Sequence, residues 1–196
     1  MKDYYIHLQG EFNDSLMYAA VDQMEGLKQE AEKLHREFPG DTFEDKDKRH
    51  GKVTILFSSS GGLMSVGFGL YDYLRDFEQT MACFGWEVEG KAVGIVGSAC
   101  VYAYLGLDTR SAFPNTQFLL HPSSIPTPGD AFLDHATLNN LMYRLQQGSV
   151  IGTHILKERT KMSLEQIFQL IGKEKSGETI LFVSEAADYG FITKLL

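Results

Sequence analysis

Strand-like and helix-like segments alternate along the whole chain, and this alternation constrains its fold more than any other feature. YYIHLQG (4–10) alternates as a strand does. From about Asp14 to His35, apolar residues such as Leu16, Ala20, Met24, Leu27, Ala31 and Leu34 fall at helical spacing, with Asn13 or Asp14 as N-cap. REFPGDTFEDKDKRHG (36–51) is polar and aperiodic and reads as an exposed loop. KVTILFS (52–58) is a buried strand, SSGG (59–62) a tight turn, and a helix follows with Met64, Val66, Leu70, Tyr71 and Leu74 available for packing. Val93–Val96 is the next strand, and a helix begins after Ser98. Phe118–His121 is a further strand, after a Pro-Asn turn. Ala131 to Thr160 is a long helical stretch, interrupted in tendency at Gly148 and Gly152. Ser163 and Gln166 form a capping-box pattern opening a short helix to Ile171. Thr179–Val183 is one more strand, and Ser184 caps a helical turn ending at Gly190. Such a pattern implies right-handed βαβ units and a largely parallel sheet.

The chain has 196 residues, enough for one domain with a full core. Its net charge of −8 argues against nucleic acid and against anionic membrane surfaces as partners. No apolar run approaches the roughly 20 residues of a membrane helix. MKDYYIHLQGEF runs directly into a strand pattern, which reads as the absence of a signal peptide. Two cysteines, Cys83 and Cys100, lack disulfide or zinc spacing, so a reducing cytoplasm is the expected location.

Two segments carry possible chemistry. VGIVGSACVYAYL (93–105) takes a strand through Gly97 into a helix and leaves Ser98 at the turn. SAFPNTQFLLHPSS (111–124) ends its strand on His121. A serine at a strand-to-helix turn has its hydroxyl and free helix N–H groups on one side. A histidine leaving an adjacent strand can accept its proton, the arrangement of nucleophilic acyl transfer. Taken singly, Ser98 is an ordinary N-cap, His121 one of six histidines and Gly61-Gly62 a turn. Their order gives them weight: each follows a strand, and sites in open α/β sheets form at the carboxyl ends of strands.

The chain also resembles the proteolytic subunit of the Clp protease, the ClpP family. FSSSGGLMSVGFGLYDYL is similar to that family's N-S-P-G-G-S-V-x-x-G-x-x-I-Y-D segment. FPNTQFLLHPSS is similar to L-P-N-S-x-x-M-I-H-Q-P, and SLEQIFQLI with VSEAADYGFITKLL to the family's C-terminal motifs. The resemblance runs from about Tyr4 to the end, with insertions near 36–50 and 79–92. It implies a single α/β domain over 1–196, the ClpP/crotonase-like spiral of ββα units with a protruding handle at about 125–160. It assigns His121 as general base, and Gly62 and Ala99 as backbone donors of an oxyanion hole. Counting back from Tyr189-Gly190 without a gap, it places Glu178 at the triad acid. At the nucleophile two registers exist. An ungapped match from Gly97 selects Val101, which would make a pseudoprotease; the register pairing Ser98 with the family's serine keeps a serine at the helix start, and is preferred.

The resemblance implies a serine endopeptidase acting on peptides or unfolded protein, with no metal or organic cofactor, assembled as a homo-oligomeric ring through the handle helix and its residues Leu138, Leu141 and Met142. The family's axial loops, which dock an AAA+ unfoldase, have no counterpart ahead of the first strand, so an AAA+ unfoldase partner, which the resemblance implies, stays open, and cleavage of short peptides is expected without it. The departures are Ser60 where the family has proline, Pro122 directly after His121, and PSSIPTPGDA in place of a glycine-rich, substrate-pairing strand. Two alternatives stand beside the peptidase: a non-catalytic ClpP-like assembly subunit, and an acyl-CoA enzyme on the crotonase scaffold.

Overall fold

The structure is a computed structural model that describes residues 2–40, 42–125, 134–172 and 177–194. β1 (Lys2–Gln9), β2 (Gly51–Ser59) and β3 (Glu87–Gly97) pair in parallel, with helices α1 (Asp14–Glu37) and α3 (Met64–Cys83) in the connections. Beyond β3, helix α4 (Ala99–Leu105) leads to β4 (Arg110–Ala112) and β5 (Gln117–Leu120). Both pair with β3 in parallel, β4 along Gly90–Ala92 and β5 along Ile95–Gly97. β3 can serve two strands because it bends: its register to β2 shifts after Phe57, and Gly94 takes a φ of 67°. β6 (Thr179–Phe182) closes the order β1-β2-β3-β5-β6 by pairing antiparallel with β5. The remaining helices are α2 (Phe43–Arg49), α5 (His135–Arg159), α6 (Leu164–Ile171) and α7 (Val183–Asp188).

Several expectations hold closely. Asn13 caps α1, accepting from the Leu16 N–H at 3.0 Å, and Ser163 and Gln166 close the capping box of α6. Others are corrected. The stretch read as a loop at 36–51 contains α2. That helix buries none of its residues; Thr42 caps it, Glu44 and Asp45 lie in its first turn, and Lys48 pairs with Glu44 at 2.7 Å. β3 starts six residues before the expected Val93, and β4 was not expected. Ser184 is not the cap of α7: the helix starts at Val183, and Glu185 reaches back to accept from the Phe182 N–H at 3.0 Å. α5 runs unbroken through Gly148 and Gly152; its expected start at Ala131 lies outside the described residues.

The core lies between the sheet and α1, α3 and α4. All seven residues of α4 are buried, and Tyr104 joins Phe57 to Phe118 and onward to Phe191 through ring contacts of 5.3, 5.5 and 5.6 Å. Arg110 is buried among carbonyl groups. Its guanidinium donates to Phe191 O at 2.8 Å, Gly190 O at 2.9 Å, Arg159 O at 3.0 Å and Leu107 O. This one side chain ties the ends of α4 and α5 to the segment after α7.

Glu89 is a buried acid on β3. Burial raises its pKa, but the Lys52 ammonium at 3.1 Å, Lys194 at 3.5 Å and the Thr54 hydroxyl at 3.2 Å outweigh this and hold it below its ordinary 4.5. A carboxylate lowered in the folded state adds stability above the unfolded pKa, and this is lost as pH falls through the folded one. Glu89→Gln should therefore be less stable than wild type near neutral pH. That deficit should shrink below about pH 4.5, as urea denaturation across the acid range will show.

Candidate active site

Three turns meet at the carboxyl ends of parallel strands. Ser60–Gly62 follow β2, Ser98 follows β3 and His121 follows β5. Ser98 has φ 51° and ψ −123°, and among the described residues no other non-glycine residue has a positive φ. Such a conformation costs on the order of 1–3 kcal/mol and persists only where its surroundings over-determine it. Here they do. The Ser98 N–H donates to Leu119 O at 2.8 Å, and the Val101 N–H donates to Ser98 O at 3.0 Å. Two glycines let the turns close. A Cβ on Gly61 would stand 2.6 Å from Ser98 Cβ, and one on Gly67 would stand 2.5 Å from Ala99 O. The Gly61-Gly62 turn is pinned from its other side, the Phe12 N–H donating to Gly61 O at 2.9 Å and the Leu63 N–H to Phe12 O at 2.7 Å.

Ser98, Gly62 and His121 line one cavity of about 850 Å³, within the range of small-ligand and peptide-side-chain sites. Val101 lines it too, with 1% of its surface exposed, so the cleft receives both residues that the two registers nominate. Ser98 is at the turn itself. Ala99 is fully buried behind it and opens α4, so its N–H is one of the helix's unpaired donors. No hydrogen bond joins Ser98 to His121.

His121 has its Nδ1 2.7 Å from Pro122 O. A carbonyl only accepts, so Nδ1 carries a proton in this contact; in the neutral imidazole that tautomer leaves the lone pair on Nε2, the form a general base needs. Glu178 is exposed, and no hydrogen bond links it to His121. β5 and β6 pair as far as Leu120 with Thr179, so His121 follows and Glu178 precedes the last pair of that ladder.

Sequence reasoning missed the far wall of the cavity. α5 supplies it through Arg144, Gln147, Gly148 and Ile151, and α3 and α4 add Phe68 and Tyr102. The signal was present in Gly148 and Gly152, read as helix interruptions. A Cβ at Gly148 would come within 3.3 Å of Met64, and one at Gly152 within 2.6 Å of the Tyr102 hydroxyl. Both glycines let α5 approach the site. Among the described residues, no group of three or more His, Cys, Asp or Glu is placed to hold a metal ion, and no helix is long and apolar enough to cross a membrane.

Comparison with known proteins gives a consistent result. The family model described as Clp protease matches residues 42–196. An ATP-dependent Clp protease proteolytic subunit from Paracoccus denitrificans is 27% identical over 158 residues, covering 78% of this chain and 69% of that protein. Among solved structures, a ClpP1 mutant from Listeria monocytogenes superposes with a TM-score of 0.69 at 20% identity, over 98% of this chain and 90% of that one. That likeness shows the ClpP fold.

The strain at Ser98 has a measurable consequence. Ser98→Gly removes the Cβ penalty at a positive φ and should raise stability by about 1 kcal/mol, the glycine entropy cost offsetting part of the relief. Urea denaturation of variant and wild type will read the difference.

Proposed function

This chain belongs to the Clp protease family, and from that premise we propose that it is a serine-type endopeptidase using Ser98, His121 and Glu178. The observation that carries the proposal is the left-handed backbone of Ser98 at the end of β3, facing the same cavity as His121. Strained strand-to-helix turns of this kind hold a nucleophile out of the helix and into a cleft. The Val101 register would leave that strain without a use.

In the proposed reaction, Ser98 Oγ attacks a peptide carbonyl and its proton passes to His121 Nε2. The oxygen of the tetrahedral intermediate is held by the N–H groups of Gly62 and Ala99, a pair of donors worth several kcal/mol of barrier. The amine leaves with the proton from Nε2, and water releases the acyl group by the same steps. Glu178, just before the end of the β5–β6 ladder that His121 leaves, supports the imidazolium. In the structure the Pro122 carbonyl holds Nδ1, so Glu178 acts by engaging that nitrogen when substrate or assembly draws the 122–125 segment aside. No metal or organic cofactor enters these steps.

Substrates are peptides or unfolded chains, and the working form is a homo-oligomeric ring. Along α5, Leu138, Met142 and Val150 are exposed, an apolar load that ring-to-ring packing would cover. Cys83 and Cys100 are free thiols, which fits a cytoplasmic protein. Short peptides need no unfolding, so their cleavage requires no ATP and no unfoldase.

Fluorogenic peptides and a fluorophosphonate label test this reading. Wild type should cleave and label at Ser98; Ser98→Ala and His121→Ala should do neither. Glu178→Gln should lower kcat, by up to about 10⁴-fold as for a triad acid replaced by its amide. An unchanged rate would leave Nδ1 to the Pro122 carbonyl. Absence of both cleavage and label in wild type would favour the assembly-subunit reading. Sedimentation at micromolar concentration should show an oligomer, and a monomer would remove the ring.

A further inference from the structure

Tyr102 lies one helical turn after Ser98, on the buried helix α4, and lines the cavity. Only 7% of it is exposed, and its hydroxyl makes no hydrogen bond among the described residues, yet it is not sealed from solvent. This contrasts with Tyr104, two positions on, whose hydroxyl donates to Ser111 O at 2.9 Å. A phenol placed as that of Tyr102 is free to donate to a partner that enters the cavity. The protein also makes room for this hydroxyl at the expense of helix propensity, since any side chain at Gly152 would collide with it. Apolar side chains share the cavity with it: Phe68 stands 5.1 Å from the Tyr102 ring, and Met64, Val101 and Ile151 also line the space.

We propose that Tyr102 is a specificity residue whose hydroxyl donates to the substrate side chain flanking the scissile bond. The favoured side chain is long, unbranched and ends in a neutral acceptor, as glutamine does. The inference rests on the peptidase reading of Ser98. A methionine of equal length meets the same apolar side chains but leaves the phenol unpaired. A glutamate brings a charge into apolar walls, with only the exposed Arg144 on the cavity's rim to attract it. A pocket built to hydrogen-bond discriminates against ligands that lack the matching group.

The test uses the whole chain carrying Ser98→Ala, so that recognition is read apart from chemistry. Calorimetric titration compares three otherwise identical peptides with Gln, Met or Glu at the position before the scissile bond, against Ser98→Ala and Ser98→Ala/Tyr102→Phe. The Gln peptide should bind about three- to tenfold more tightly than the Met peptide, and Tyr102→Phe should erase that ratio while retaining the Met peptide. Equal ratios in the two proteins, or failure of all three peptides to bind, would overturn the assignment. Tightest binding of the Glu peptide, unaffected by Tyr102→Phe, would also overturn it and transfer selection to Arg144. If the Gln preference holds while wild type neither cleaves nor labels, the specificity stands and the peptidase reading fails.

Discussion

Two backbone turns touch with no side chain between them, and the geometry of the cavity depends on that contact. Gly61 meets the Ser98 turn, Gly67 lets the first turn of α3 pass the start of α4, and Gly97 passes the Ser60 carbonyl, where a Cβ would stand 2.8 Å away. Backbone packed on backbone leaves little freedom to relax. The conformational cost of Ser98 is therefore carried by contacts reaching back to Phe12, whose amide and carbonyl both bond the Gly61–Leu63 turn. The first loop of the chain thus acts on a residue far along it. Any side chain added in this contact would move the serine, the Gly62 N–H and the Ala99 N–H together.

The parts of the fold legible in sequence are those whose signal is local. α1 and α6 announce themselves by caps and apolar spacing, β2 by its β-branched run, and the Ser98 turn by a strand that stops at Gly97 and restarts as a helix. What was illegible depends on partners far away. The first half of β3 carries Glu87, Glu89 and Lys91, which read as surface. Glu89 is buried because Lys52 and Lys194 neutralise it from β2 and from the chain's end. β4 is three residues long and begins with an arginine whose hydrogen-bond acceptors are mostly about 50 to 80 residues distant. α2 has no buried face, so periodicity had nothing to report; a cap and an ion pair hold it.

The site shows the same division. Its serine, histidine and glycine turn share a cavity as the order of motifs suggested, because strand ends in a parallel sheet converge whatever the loops between them do. The cavity's depth was hidden. Glycine in a helix costs about 1 kcal/mol against alanine, and sequence alone prices that cost without the return. Here the return is proximity: α5 passes close over Met64 and Tyr102 and becomes a wall.

Arg110 also sets a condition on how the core closes. Its guanidinium donates to one acceptor nearby in sequence, Leu107 O; the other acceptors belong to Arg159, Gly190 and Phe191, and its backbone bonds Thr193 and Lys194. The strands and helices on either side of Arg110 precede most of those carbonyls along the sequence. Packing them together without the 159 and 190–194 segments in place would bury a cation with most of its donors unmet. Those two segments are therefore the latch of the core, and its closure around Arg110 is complete only when both have docked.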